Sequence, residues 1–207
     1  IILANAEVLL DRVRDDEQRE MLTDLAQEAN QLEHMVQAAL DRMRSDSEHS
    51  ERFSPFEVVR ECADQFRRSL PDSRIEVVVK ADSQLSDGDS VCARGERIKI
   101  EGAIMNLLRN SREAMPEGGT IEVGVEVEEG EKTIRIYVRD NGPGISRYAI
   151  RRVFLPFYSE KEKGTGLGLP TVQRIVREFG GEVAVKTRKG RGTEVSLVIP
   201  REMLASK

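Results

Sequence analysis

Two glycine-rich runs and a pair of asparagines carry the chemistry open to this sequence. Asp140-Asn141-Gly142-Pro143-Gly144 precedes Gly164-Thr165-Gly166-Leu167-Gly168-Leu169, and both follow Asn106-Leu107-Leu108-Arg109-Asn110. Glycine belongs where backbone must pass close to phosphate oxygens or take a positive φ, which a Cβ would obstruct. The second run opens a helical pattern from Pro170 to Phe179, so its unpaired N–H groups and positive dipole end can face an anion. Asn106 and Asn110 are four apart and project from one helix face, with Glu113 a turn beyond. Their amides offer oxygens to a hard divalent cation and N–H donors to phosphate, without the repulsion a carboxylate adds. A solvated pair near a helix end is the alternative. Asp140 closes an apolar strand, where its carboxylate can accept a hydrogen bond from the exocyclic amine of adenine. Gly142 and Gly144 would let the base lie flat against backbone. An ordinary turn would also use Asp-Asn-Gly; the second glycine run downstream favours a nucleotide pocket. A Walker-type phosphate loop is excluded, because no G-x-x-x-x-G-K-[ST] occurs.

The elements that must hold these residues fall into two textures. The first fifty residues contain neither Gly nor Pro. From Glu17 to Arg44, apolar residues at Leu22, Leu25, Ala29, Leu32, Val36, Ala39 and Met43 alternate spacings of three and four, a heptad seam. Ile2, Ala6, Leu9 and Val13 repeat the pattern before a connection at Arg14-Asp15-Asp16, with Asp16 as an N-cap. Two such helices bury their seams by pairing with a second copy into a four-helix bundle, or by packing on the chain's own downstream domain. Ser45 to Ser54 reads as a polar linker, with Pro55 starting a helix.

Helices are expected over Phe56–Leu70 and Glu96–Met115, and strands over Ile75–Lys80, Ile121–Glu128, Thr133–Arg139, Glu182–Thr187 and Thr193–Ile199. The fold class is therefore α+β: residues 1–48 as a helical hairpin, and 49–207 as an α/β sandwich with a mostly antiparallel mixed sheet and helices on one face.

Composition narrows the class further. With 207 residues, 33% charged and a net charge of −5, the chain lacks the basic excess that nucleic acid as a principal partner would demand. Cys62 and Cys92 are isolated and fit no zinc set, in keeping with reduced thiols and a cytoplasmic setting. No apolar run approaches a membrane span. The opening Ile1-Ile2-Leu3-Ala4 begins inside an apolar-periodic pattern, which reads as part of a longer protein; any membrane attachment would lie in parts outside this sequence.

The motifs resemble those of sensor histidine kinases of two-component systems. Asn106-Leu107-Leu108-Arg109-Asn110 is similar to their N box, and Asp140 to Ile145 to their first glycine box. Phe154-Leu155-Pro156-Phe157-Tyr158 resembles the F box, Gly164 to Leu169 the second glycine box, and Gly192-Thr193 the closing segment. The paired helices before Ser45 resemble the dimerisation and phosphotransfer hairpin. The short Tyr158–Lys163 link is most similar to the nitrogen-regulation and oxygen-sensing type.

The resemblance implies an ATP-dependent protein histidine kinase that uses Mg²⁺, with these roles. Asn110 would coordinate Mg²⁺ on the ATP phosphates, supported by Asn106. Asp140 would bind the adenine amine, joined directly or through water by Thr193, with Gly142 and Gly144 shaping the base pocket. Gly164, Thr165, Gly166, Leu167 and Gly168 would wrap the phosphates beside an ATP lid. Lys161 would reach the γ-phosphate or stand as a solvated charge. Phe154 and Phe157 would anchor the lid base by packing. The implied partners are a second copy through the hairpin and a response-regulator receiver domain.

The chain departs from the family at two places. His34 and His49 are its only histidines, and neither matches the family's acceptor motif. The acceptor is therefore expected upstream of Ile1, no residue of this chain is assigned a catalytic role, and the chain is expected not to label itself. Arg94 stands where relatives often place an Asp, which puts the cap of the following helix in question. Two other readings differ in class: a scaffold that uses ATP as a conformational switch, and a water-activating ATPase of the gyrase, mismatch-repair or heat-shock type. The latter needs an acidic residue four positions before Asn110, where this chain has the amide Asn106.

Overall fold

A computed structural model describes residues 50–70, 74–81, 91–127, 132–160 and 165–202. The expected hairpin over 1–48 lies outside them, as do Lys161 and Gly164. Residues 157–160 and 165–167 belong to a unit separate from the main body and are treated by themselves below.

The main body runs β1 (Glu51–Phe53), α1 (Pro55–Arg68), β2 (Ile75–Ala81), β3 (Ala93–Gly95), α2 (Arg97–Ala114), β4 (Gly119–Glu126), β5 (Thr133–Asp140), α3 (Gly168–Glu178), β6 (Glu182–Thr187) and β7 (Thr193–Pro200). Five strands form one sheet in the order β2-β4-β5-β7-β6. β2 pairs parallel with β4, and every other neighbour is antiparallel. A parallel pair needs a crossover connection, and α2 supplies it between β2 and β4. The sheet is mixed and mostly antiparallel, as expected.

Alternation decides which face each strand buries. Ile121, Val123 and Val125 of β4, Ile134, Ile136 and Val138 of β5, and Val195, Leu197 and Ile199 of β7 all point to the helical side and are buried. They meet Val58, Val59, Cys62 and Phe66 of α1, Ile100, Ile104, Leu107 and Leu108 of α2, and Val172, Ile175 and Val176 of α3. Each such side chain contributes about 1.5–3 kcal/mol by leaving water. Helix α1 starts where Ser54 caps it, accepting the Glu57 N–H at 3.4 Å, with Pro55 in the first turn where its missing N–H costs nothing.

Away from the helices, Tyr137 stands opposite Gly124 in the β4–β5 register, and a Cβ there would sit 2.7 Å from the phenol oxygen. The guanidinium carbons of Arg135 and Arg139 lie 4.9 and 5.3 Å from its ring centre, and its hydroxyl donates to Glu122 at 3.1 Å. Both arginines also bind Glu194. Burial opposes the charge on Glu194, but the Arg139 hydrogen bond and the charges of Arg135, Arg139 and Lys186 hold its carboxyl below its ordinary range.

The polar linker expected up to Ser54 is corrected at its end. Glu51–Phe53 forms a strand paired with β3, because Phe53 is apolar enough to bury (5% exposed) and meets Phe179 edge to face at 6.2 Å. Glu202 fastens this small sheet. Its backbone N–H donates to the Cys92 carbonyl at 2.8 Å, while its carboxylate pairs with Arg52 at 2.7 Å and Arg94 at 2.8 Å. Arg94 therefore pairs with Glu202, and Glu96, the N-cap of α2, makes no side-chain capping bond.

Cys62 makes the domain sensitive to alkali. Burial, then the charges of Glu101 and Glu61, push its thiol from an ordinary 9.0 up to about 12. The unfolded thiol ionises near its ordinary value and the folded one does not, so stability is full below that pH and falls as pH rises towards the folded pKa. The loss should be about 1.4 kcal/mol per pH unit in that window. Denaturant unfolding at pH 8 and pH 10, with Cys62→Ala as control, checks it: the wild type should lose about 1.4 kcal/mol more than the variant.

Candidate nucleotide-binding site

Asp140 is the centre of the site, and strand alternation puts it there. It shares the parity of Ile134, Ile136 and Val138, so its carboxylate turns to the helical side at the end of β5 and is only 8% exposed. Oδ1 accepts the Gly142 N–H at 3.0 Å and the Thr193 N–H at 3.1 Å. Oδ2 accepts the Ser111 hydroxyl at 3.1 Å. Thr193 arrives because it stands directly opposite Asp140 in the β5–β7 register.

The glycine turn is held by the β6–β7 connection. Gly144 takes φ +70, and a Cβ on it would lie 2.3 Å from the Arg188 carbonyl oxygen. The Gly190 N–H donates to the Pro143 carbonyl at 2.7 Å, and the Ile145 N–H to the Thr187 hydroxyl at 2.8 Å. That hydroxyl lies 3.1 Å from the hydroxyl of Thr193. Gly142 leaves room for Met115, whose Cγ would be 3.0 Å from a Cβ there.

Helix α2 supplies the asparagines. Leu107 and Leu108 fix its buried face, Ser111 falls on that face, and Asn106 and Asn110 lie together on the flank, half-exposed. Gly168 opens α3 against this flank: a Cβ on it would sit 3.1 Å from the Asn110 amide nitrogen and 3.3 Å from its oxygen. The Asn110 amide thus stands at the N-terminal end of α3, where the helix dipole favours negative charge. Asn110, Asp140, Gly142, Gly144, Gly168 and Thr193 are brought into one connected arrangement, with Asn106 one turn away on α2. An open groove of about 500 Å³ lined by Phe154, Pro156, Pro170 and Arg174 contains none of them.

Thr165, Gly166 and Leu167 belong to the separate unit. There Gly166 takes φ +65, its carbonyl accepts the Phe157 N–H at 3.1 Å, and a Cβ on it would lie 2.5 Å from the Phe157 carbonyl carbon. Phe157 corrects an expectation: it is 55% exposed and itself takes φ +65, so it does not anchor by packing, whereas Phe154 is half-buried. Ser111, Met115 and Thr187 are the site residues that sequence reasoning missed. Only Ser111 left a signal there, as a hydroxyl in phase with Leu107 and Leu108.

Residues 95–203, more than half of the chain, match the model of the histidine kinase-, DNA gyrase B- and HSP90-like ATPase family. The chain belongs to this family. Among its relatives, sporulation kinase D of Bacillus subtilis (strain 168) is 41% identical over 101 residues, covering 49% of this chain and 20% of that protein. The nucleotide-free catalytic domain of histidine kinase ThkA superposes with a TM-score of 0.64 at 27% identity, over 74% of this chain and 96% of that one. Histidine kinase ThkA in complex with response regulator protein TrrA gives a TM-score of 0.68 at 20% identity, over 97% and 59%, a likeness of fold. The chain thus carries the ATP-binding catalytic domain of the sensor histidine kinase branch, and spans about a fifth of the curated relative it matches.

Proposed function

We propose that this chain binds Mg²⁺·ATP and presents its γ-phosphoryl to a histidine on a dimerisation helix, for relay to an aspartate of a response regulator. The observation that carries the reading is the buried Asp140 carboxylate, held by three donors at one end of a site whose other end sets the Asn110 amide at the start of α3. Asp140 takes the adenine amine and Gly142 and Gly144 border the base. Thr193 holds Asp140 through its backbone N–H. Asn106, Asn110 and Gly168 serve the phosphates, with Gly164, Thr165, Gly166, Leu167 and Lys161 as their further partners.

The donor set suits Mg²⁺ in particular. Among the described residues no cluster of three His, Cys, Asp or Glu side chains could hold a metal by itself. Mg²⁺ commonly takes one or two protein oxygens and fills its octahedron with phosphates and water, and the Asn110 amide is such an oxygen. When bound it neutralises phosphate charge. The chain's own part is orientation, since in phosphoryl transfer of this kind positioning and charge neutralisation do the work. The partner type is supported by the ThkA–TrrA complex, and the homodimer by the apolar seam of residues 17–44.

Calorimetric titration with ATP, with and without Mg²⁺, tests the proposal. Asn110→Ala should remove at least about tenfold of the Mg²⁺-dependent affinity, roughly 1.4 kcal/mol. Unchanged affinity in that variant would sink the assignment. Steady ATP turnover by the chain alone would favour a water-activating ATPase instead.

A further inference from the structure

A carboxylate offers about four acceptor positions, and in Asp140 three are filled from within the protein. Two backbone N–H groups hold Oδ1, and the Ser111 hydroxyl holds Oδ2. The two N–H bonds to Oδ1 hold the carboxylate plane from one side, and the Ser111 hydroxyl holds it from the other, so that rocking the group would stretch bonds at both oxygens. Ser111 takes one of the two acceptor positions of Oδ2 and leaves the other, whose direction the planar group defines.

Helix formation does not account for a serine at this place. Ser111 is 6% exposed, alanine is the better helix former, and a mid-helix serine commonly bonds back to its own helix. Here the hydroxyl crosses from α2 to the end of β5. The next residue towards the N-terminus is Asn110, which faces the start of α3. One turn of α2 therefore carries the amide at the phosphate end and fixes the acceptor at the base end.

We propose that Ser111 is a positioning residue for base recognition, acting through Asp140 to aim its remaining acceptor at the six-amino group of the purine. This rests on the reading of Asp140 as the acceptor of the adenine amine.

Calorimetry on the whole chain with two nucleotides tests it: ATP, and purine riboside triphosphate, which lacks the six-amino group. Wild type should bind the analogue about tenfold or more weaker than ATP, the worth of one hydrogen bond to a charged acceptor. Ser111→Ala should weaken ATP about five- to tenfold and the analogue less than about twofold. Ser111→Thr keeps the hydroxyl and should restore discrimination. Equal weakening of both nucleotides by Ser111→Ala would show a structural role and overturn the inference, as would unchanged ATP affinity. Failure of wild type to distinguish the two would instead overturn the reading of Asp140, and it would show before any substitution is made.

Discussion

Asp140→Asn is expected to weaken ATP binding by about 100-fold or more, about 2.7 kcal/mol, while the fold stands. The amide oxygen can keep accepting from the Gly142 and Thr193 N–H groups, and the Ser111 hydroxyl can turn to accept from the amide nitrogen. The adenine amine would then face an N–H₂ group instead of an oxygen anion. A hydrogen bond to a charged acceptor, worth about 1.5–3 kcal/mol, becomes an opposition of donors. Asp140→Ala is a poorer experiment, because three donors around a buried position lose their acceptor at about 1–3 kcal/mol each. Calorimetry for affinity and thermal unfolding for stability separate the two effects. An Asn variant that binds ATP within about threefold of wild type, below 1 kcal/mol, would remove Asp140 from base recognition.

Gly192→Ala should be the most damaging small substitution in the domain. Gly192 takes φ +88, and a Cβ on it would lie 1.9 Å from the carbonyl oxygen of Asp140, 2.9 Å from its carbon and 3.0 Å from the Asn141 Cα. Every obstructing atom is backbone, so no side chain can turn aside. The β6–β7 turn would have to leave the glycine turn that carries the site, costing on the order of 3–5 kcal/mol and lowering the unfolding midpoint by about 10 °C or more. Gly190→Ala is the internal control. It also has a positive φ (+75), but no atom lies within 4 Å of its Cβ position. It should cost only about 1–2 kcal/mol of backbone strain. Equal midpoints for the two variants would mean that the close approach is not what holds this corner.

The sheet and the site were legible to different depths, and the reason is the range over which each signal acts. Helix α2 shows its face through Ile100, Ile104, Leu107 and Leu108 and its ends through Glu96 and Met115, all local. Strand β5 shows its burial through alternation, and the same parity predicts where Asp140 turns. Glu51–Phe53 gave no strand signal, because a three-residue strand has no period to read and its partner β3 lies forty residues on. The Ser111–Asp140 bond depends on the meeting of a helix face with a strand end, which neither segment encodes alone. Phe157 misled because an aromatic residue in a motif suggests burial, while this one is more than half exposed.

The knot of Arg52, Arg94 and Glu202 fastens three segments that lie far apart in the sequence. β1 is tied to β3 by its ladder and by the Glu202 clamp, and β3 runs directly through Glu96 into the first turn of α2. The clamp therefore joins this strap to two elements at once: α2, which bears Asn106 and Asn110, and β7, which ends two residues before Glu202.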